Sequence, residues 1–455
     1  MAGRFWFATC MAFFIGFLTL TMLGFAQERP QEHAQERTQA RTKPMDFQGR
    51  YLVSISDADM LASAYVDNQL GPREGRDALS VIPLGSDYRE MRAHEVEVSN
   101  SVAGPPSAIA VSPDGKWAFV VESFKQAKNN TKTFRELAVG NQLIAVELSD
   151  PQKPRIHAQI EIGTRPETVE ISPRGDMLLV TLHPRDGRQL AFVPWRNNQF
   201  GKPTYTTLPN VTKDVRVSHA VWHPSGDYIA GTLVDQAQVV FARVRRNGDA
   251  ITLEPWGAPT IVGKYPFKIM FTSDGQHLLT TNLKWGPDVQ GFWTEAPRGS
   301  IGVVRFSMQP EKNGQPRHPL VSVAETGVSP EGITISPDGS LVVTANLERS
   351  YLPYNDSRIT WFSSLTLMRF DPKTGLLETL GDYFHDGILP ETLTFDTSGR
   401  YIAVSTYDHF DDSHKGGSID FWRVASDPMA PKPRLVKTNY SVTVTRGVHS
   451  MVLVR

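Results

Sequence analysis

Six segments of the chain share one pattern of apolar and polar positions. In each, an alternating apolar run leads into a polar turn that ends in glycine, and a second apolar run follows. The segment Ser329–Glu348, SPEGITISPDGSLVVTANLE, shows the pattern clearly, with Ile333 and Ile335 ahead of the turn at 337–339. Alternation with a period of two predicts strands, and a turn glycine supplies a positive φ. The pattern therefore predicts a repeated β-hairpin.

The hairpin recurs along the chain, and a seventh copy is divided between its two ends. The six complete copies have their turn glycines at Gly115, Gly175, Gly226, Gly275, Gly339 and Gly399. The C-terminal RGVHSMVLVR reads as a first strand without a partner, and FQGRYLVSIS at 47–56 reads as a turn and a second strand. With Gly49 as the seventh turn glycine, the spacings run from 49 residues (Gly226 to Gly275) to 66 residues (Gly49 to Gly115). A four-stranded blade needs about 40 to 45 residues, so these spacings fit one blade plus loops.

These repeats predict an all-β fold, a seven-bladed β-propeller of four-stranded blades over residues 47–455. Pairing of the C-terminal strand with the N-terminal strand would close the ring and remove exposed sheet edges. An open β-sandwich with coincidental turns would not explain complementary half-repeats at the two ends.

The segment Val146–Thr181, VELSDPQKPRIHAQIEIGTRPETVEISPRGDMLLVT, resembles a complete unit of the YVTN-type propeller repeat. That superfamily includes the seven-bladed lactonase family and is similar to the propellers of haem d1 proteins and of quinoprotein amine dehydrogenases. The matching motifs are turn and strand signatures, so the resemblance implies the fold strongly and a lactonase-like activity weakly.

One position begins the innermost strand of every blade when the repeats are aligned on the turn glycine, and propeller geometry directs it to the mouth of the central channel. The seven residues are Ser107, Glu167, Ser218, Phe267, Glu331, Glu391 and His449. Carboxylates and an imidazole there could activate water or bind a cation. We predict Glu331, Glu391 and His449 as catalytic residues, with Arg165 balancing the acids or holding an anionic substrate.

The same acids are candidates for a metal site. Glu167, Glu331 and Glu391 are predicted ligands of a divalent cation, Ca²⁺ or Mg²⁺. Because crowded acids repel one another, at least one of these glutamates is expected to have a raised pKa. The alternative is that the three side chains are simply solvated at a wet channel mouth.

Long loops between second and third strands emerge on the same face and carry several aromatic residues. They are Asp57–Arg76, Glu122–Asn141, Lys284–Gly299, Glu348–Arg358 and Asp408–Gly416. Long loops on a rigid scaffold favour a binding surface, for a small molecule or for a protein partner; the aromatics could instead only pack the loops onto the blades. Residues at the ends of second strands are predicted to bind ligand, the asparagines on the strength of the resemblance: Glu122, His183, Asn282 and Asn346.

Composition and the N-terminus limit the partners and the compartment. With 47 basic and 48 acidic residues, the chain lacks the positive field that captures nucleic acid. Arg4, an apolar run at 5–25 and a small-residue site ending at Ala26 predict a signal peptide over 1–26, with an uncleaved membrane anchor as the alternative. Residues 27–46 predict a disordered polar tether. A periplasmic or secreted location follows, and Cys10, the single cysteine, would be removed by cleavage.

Two functions remain open after these observations. The first is an exported propeller that binds and hydrolyses a lactone-like small molecule at the channel mouth. The second is a non-catalytic scaffold, or a subunit of a periplasmic redox complex, that uses the long-loop face. The sequence contains no Walker A, H-E-x-x-H or G-x-S-x-G motif, and no C-x-x-C-H haem attachment.

Overall fold

A computed structural model describes residues 45–85, 88–101, 104–312, 314–411, 413–427 and 430–455. The predicted signal peptide, and the predicted tether as far as residue 44, lie outside the described residues. Residues Asp46–Arg455 form one compact unit. No helix of the described part is long and apolar enough to cross a membrane.

The unit is a ring of seven blades, as predicted, and each blade is an antiparallel sheet. From the channel outward, blade 1 contains β32 (Val448–Val454), β1 (Tyr51–Ser56), β2 (Ala78–Pro83) and β3 (His94–Glu97). Blade 2 contains β4 (Ile109–Val111), β5 (Trp117–Val121), β6 (Gln142–Glu147) and β7 (Arg155–Glu161). Blade 3 contains β8 (Pro166–Ile171), β9 (Met177–Leu182) and β10 (Leu190–Arg196), with β11 (Gln199–Phe200) and β12 (Thr204–Thr206) on its outer edge.

Blades 4 to 7 repeat this order. Blade 4 contains β13 (Val217–Trp222), β14 (Tyr228–Leu233), β15 (Gln238–Asn247), β16 (Ala250–Pro255) and β17 (Thr260–Ile261). Blade 5 contains β18 (Pro266–Phe271), β19 (His277–Asn282), β20 (Arg298–Arg305) and β21 (Leu320–Val328). Blade 6 contains β22 (Pro330–Ile335), β23 (Leu341–Asn346), β24 (Ser363–Phe370) and β25 (Leu377–His385). Blade 7 contains β27 (Leu393–Phe395), β28 (Tyr401–Thr406), β30 (Gly417–Asp427) and β31 (Ala430–Val444).

Short elements complete the described chain. A two-stranded ribbon joins β26 (Gly387–Ile388) to β29 (Asp408–His409), and the α-helix α1 covers Ala64–Asp67. Single 3₁₀ turns occur at Tyr88–Glu90, Phe134–Glu136, Pro184–Asp186 and Val234–Gln236.

The turn glycines serve two different purposes. Gly339 has a φ of 74°, the left-handed conformation that the sequence predicted for it. Gly49 is not among the residues with positive φ, so that explanation fails at the seventh turn. There a Cβ would stand 2.5 Å from the Leu453 side chain, so glycine is needed for close packing instead.

Apolar side chains fill the spaces between blades and a second layer under the loops. Val53, Phe119 and Val180, from blades 1, 2 and 3, belong to one buried cluster. A separate cluster brings the loop residues Met60 and Tyr351 against Leu389 at the entrance of blade 7. The long loops therefore form an ordered layer with its own core over the channel mouth.

Ring closure depends on the pairing of β32 with β1. Tyr51 lies opposite Val454, and Ile55 lies opposite Ser450, with a register shift at the end of β1. We predict that deleting 446–455 lowers the free energy of unfolding by several kcal/mol, because it opens the ring and exposes the faces of two blades. Denaturant unfolding measures this. Removal of the exposed Arg455 alone is the control, and an unchanged unfolding midpoint after the full deletion would contradict the role assigned to closure.

Candidate functional site

Several innermost strands are entered through a strained bend. Arg165, Tyr265, Ser329 and Leu389 each lie two residues before the predicted site position of their blade, with φ between 48° and 57°. In blade 1 the same place is held by Gly447, with φ of 87°. A left-handed non-glycine residue costs about 1–3 kcal/mol, and such residues cluster at functional sites. These bends could not be predicted from the sequence, because four of the five positions lack the glycine that would mark them.

Two of the predicted glutamates lie at β-bulges that begin these strands. The ladder of blade 3 shifts register between Pro166 and Thr168, and that of blade 6 shifts between Pro330 and Gly332. Glu167 and Glu331 are therefore left out of regular pairing. A bulge re-aims the side chain that it carries. At Glu331 the bulge and the bend together place the carboxyl in a cavity at the channel mouth.

That cavity has a volume of about 210 Å³ and is walled mainly by aromatic rings. The aromatic lining residues are Tyr65, Phe134, Tyr265, Phe267, Trp285, Trp293 and Tyr351. The charged lining residues are Arg165, Arg216, Glu331 and Glu391. Leu347, Leu389 and Gly104 complete the described lining. Of the sequence-predicted catalytic residues, the cavity brings together Glu331, Glu391 and Arg165.

The aromatic rings form two packed walls. In blade 5, Trp285 lies 5.3 Å from Tyr265 and 5.8 Å from Phe267, measured between ring centroids. On loops of blades 1 and 2, Tyr65 and Phe134 are 5.4 Å apart. The loop aromatics therefore do both things that the sequence left open: they pack the loops and they line the cavity.

Glu167 is neutralised by two arginines. Arg216 Nε donates a hydrogen bond of 2.9 Å to Glu167 Oε2, and Arg165 Nε lies 3.5 Å from Oε1. The Arg165 guanidinium also lies 5.0 Å from the Phe124 ring. Burial lowers the pKa of Arg216, but the charges of Glu167 and Tyr265 and the hydrogen bonds to both together leave that pKa above its ordinary value. Glu167 is therefore paired with guanidinium groups, and the binding of a Ca²⁺ or Mg²⁺ ion by Glu167, Glu331 and Glu391 stays a prediction.

Glu331 and Glu391 are the unusual acids of the cavity. Their exposed fractions are 6% and 3%. Burial raises the pKa of Glu331 from 4.5 to about 8, against the opposing charge of Lys268. Burial also raises the pKa of Glu391 well above its ordinary value, and the charges of Glu331 and Asp57 raise it further. The raised pKa expected from crowding is present, but burial is the larger cause.

Lys268 is a functional candidate that the repeat alignment missed. It lies one residue after Phe267 on β18, and its Nζ donates a hydrogen bond of 2.8 Å to Pro106 O. Burial lowers the pKa of Lys268 to about 8, while the charges of Glu170, Glu331 and Glu391 oppose that shift. A lysine within the apolar strand PFKIMF was the available signal.

His449 lies outside the described lining of the cavity. Its Nε2 is 2.8 Å from Asn100 Oδ1, and its Nδ1 is 3.2 Å from Ser450 Oγ. Burial lowers its pKa to about 3, so the ring is neutral at ordinary pH. Asn100 in turn donates to Ser56 O at 3.1 Å. These contacts support a structural role in the closing blade, and catalysis by His449 stays a prediction.

The residues predicted at second-strand ends also lie outside the described lining. Asn346 Nδ2 contacts Ser364 Oγ and Thr366 Oγ1, both at 3.0 Å. Asn282 Nδ2 donates to Val262 O at 3.2 Å. These two side chains donate hydrogen bonds to a backbone carbonyl and to neighbouring hydroxyl groups of their blades. Ligand binding by them stays a prediction.

Glu122 and His183 likewise belong to strand ends and loop entrances. Glu122 Oε2 accepts a hydrogen bond of 3.3 Å from Asn141 N. The backbone amide of His183 donates to Arg165 O at 3.0 Å, which ties the end of the second strand to the bend. Ligand binding by these two residues stays a prediction as well.

A second acidic group, which the repeat alignment did not single out, lies in blade 1. Among the residues described, Asp57, Asp59 and Asp77 form the one group with donor atoms within 4.8 Å of one another. Protein groups contact two of its members. Arg73 Nε is 3.3 Å from Asp59 Oδ1, and the Ala58 amide donates to Asp77 at 3.2 Å. Burial, with the neighbouring acids, raises the pKa of Asp77 well above its ordinary value.

Comparison with known proteins supports the architecture. No protein-family model matches the chain, and no curated protein matches it in sequence. A candidate 6-phosphogluconolactonase from Bacteroides fragilis superposes with a TM-score of 0.58 at 14% identity, covering 89% of this chain and 98% of that chain. The periplasmic gluconolactonase of Pseudomonas aeruginosa gives 0.55 at 16% identity, covering 89% and 99%.

A third structure, a functionally unknown protein from Desulfotomaculum acetoxidans, gives a TM-score of 0.57 at 14% identity, covering 89% of this chain and 99% of that one. At such low identity the agreement shows the fold alone. The chain is a seven-bladed β-propeller similar in fold to lactonase-like propellers, which confirms the resemblance seen in its repeats.

Proposed function

We propose that the protein binds a lactone-like small molecule in the channel-mouth cavity and hydrolyses its ring ester, after export to the periplasm or the cell exterior. The observation that carries the proposal is Glu331, a buried carboxyl with a pKa of about 8 inside an aromatic-walled cavity. A pKa near the working pH suits a general base. The gluconolactonase named above supports the substrate class by fold analogy only.

The chemistry would follow from the cavity's charges. Ionised Glu331 takes a proton from a water molecule, whose oxygen attacks the lactone carbonyl carbon. The negative charge that develops on the carbonyl oxygen is stabilised by the Arg165 guanidinium. The ring C–O bond then breaks, and the departing oxygen receives the proton from Glu331. The product is the open hydroxy acid, so one water is consumed and the Glu331 carboxylate is restored.

Lys268 would set the protonation state of the base. Its positive charge lowers the pKa of Glu331, while the buried surroundings raise it. The balance keeps the carboxyl poised for proton transfer near neutral pH. These steps use only water, Glu331 and Arg165, without a metal ion. Glu167 is not assigned a step, because its carboxylate contacts Arg216 and Arg165.

Replacing Glu331 by Gln tests the base. We expect kcat/KM for lactones such as glucono-δ-lactone or dihydrocoumarin to fall about 10²–10⁴-fold. The folded state should be equally or more stable, because a carboxyl with this raised pKa destabilises the fold progressively as pH rises from 4.5 to about 8, and by the full amount above that.

Exposed Glu311→Gln is the matched control and should change neither quantity. If Glu331→Gln hydrolyses lactones as fast as the unchanged protein, Glu331 is not the general base. Absence of both lactone hydrolysis and lactone binding in the unchanged protein would favour the scaffold alternative.

The rate should also depend on pH in a defined direction. Since the active form is the carboxylate, kcat/KM should rise as pH passes through about 8 and then level off. Lys268→Met removes a positive charge and should displace the rise toward higher pH. Stopped-assay rates corrected for spontaneous hydrolysis measure both profiles. A flat profile, or a Lys268→Met profile displaced toward lower pH, would count against this assignment.

Export has its own test. Cleavage after Ala26 would give a mature chain beginning at Gln27 and lacking Cys10. N-terminal sequencing of the protein recovered from a periplasmic or culture-medium fraction should find that residue. Recovery of the intact N-terminus in a membrane fraction would instead support the anchor alternative.

A further inference from the structure

Two buried polar atoms of the cavity have no hydrogen-bond partner within the described part of the chain. They are Glu391 Oε2 and Tyr351 Oη, on residues that are 3% and 4% exposed. Both residues line the cavity. Leaving such a group unpaired costs about 1–3 kcal/mol, more for a charged one. Their occurrence together in one cavity points to a ligand that pairs with them.

When Glu391 is ionised, its charge is not balanced by the described residues; burial opposes that ionisation, and a cation beside the carboxyl would favour it. Lys268 is the cation that acts on Glu391, and it is shared with Glu331 and Glu170. When all three acids are ionised, one positive charge faces three negative charges. Asp57 adds to the negative potential at Glu391.

The opposite end of the cavity differs. There Arg216 and Arg165 share the carboxylate of Glu167, one on each oxygen. Two guanidinium charges face one carboxylate there, so this end of the cavity carries no excess of negative charge. The excess negative charge lies at the blade 6 and blade 7 side of the cavity, when its acids are ionised.

Aromatic rings surround this negative end. Tyr65 lies close enough to feel the charges of both Glu331 and Glu391, and Tyr351 feels that of Glu331. The faces of such rings attract cations, most strongly where water is excluded. A carboxylate in a cavity lined by aromatic rings is a chemical environment that an ammonium group satisfies and a neutral alkyl group does not.

We propose that the molecule bound in this cavity carries an ammonium or alkylated ammonium group, which pairs with Glu391 among the rings of Tyr65 and Tyr351. The inference rests on the proposed function in so far as it uses the same cavity as the binding site. It defines the substrate class more narrowly: an organic cation, with the hydrolysable ester as a separate part of the molecule.

Choline and its neutral isostere 3,3-dimethylbutan-1-ol are the probes, because they share shape and differ in charge. In titration calorimetry we expect choline to bind the full-length propeller at least about tenfold more tightly than the isostere. Glu391→Gln should remove that preference, since it keeps the size of the side chain and deletes its charge. Exposed Glu311→Gln should leave the preference intact, and matched thermal unfolding of the two variants verifies that both are folded.

The outcomes separate this inference from the hydrolysis proposed above. Equal affinity for the two probes, or a preference for choline that persists in Glu391→Gln, would overturn the proposal that the ligand carries an ammonium group paired with Glu391. Lactone hydrolysis without any choline binding would also overturn it, while leaving the proposed activity standing. If choline binding depends on Glu391 but the protein hydrolyses no lactone, the proposed ammonium-bearing ligand is supported and the proposed lactone hydrolysis is rejected.

Discussion

The pairing of β32 with β1 is the contact on which the candidate site depends, because a closed ring fixes all seven strand entrances relative to one another. It also anchors a loop that forms the cavity. Arg446, two residues before β32, donates hydrogen bonds of 2.7 Å to Pro72 O and 3.3 Å to Ala58 O. These contacts hold the loop that carries Tyr65 over the channel mouth. Closure and the aromatic wall are therefore parts of one structure.

The channel mouth holds several features that oppose folding. Arg165, Tyr265, Ser329 and Leu389 adopt left-handed backbone conformations without glycine. Glu331 and Glu391 are buried acids whose raised pKa values show that burial penalises their charge. The packed clusters between blades must offset these costs. Several unfavourable features gathered at one channel mouth are typical of a site kept for binding or catalysis rather than for stability.

The sequence predicted the fold well because a propeller is a repeat, and each hairpin carries its own strand and turn signals. Alignment of the repeats also identified Glu331, Glu391 and Arg165, since equivalent positions in a ring converge on its axis. Equivalent position did not determine environment. His449 occupies the same position in its blade as Glu391 does in blade 7. Its imidazole, however, is hydrogen-bonded to the side-chain amide of Asn100. Such partners come from other blades and from loops, so the repeat pattern could not reveal them.

Lys268 illustrates the remaining limit and suggests how the site is organised. Its neighbours in sequence are apolar, and its electrostatic partners are Glu170, Glu331 and Glu391, from blades 3, 6 and 7. Repeat alignment compares one blade with another, whereas the charge balance of a channel is summed across the ring. At one end of the cavity, two arginines neutralise Glu167. At the other end, the single charge of Lys268 faces several acids. Chemical reactivity is expected where this matching is incomplete, which places it at Glu331 and Glu391 rather than at the equally buried Glu167.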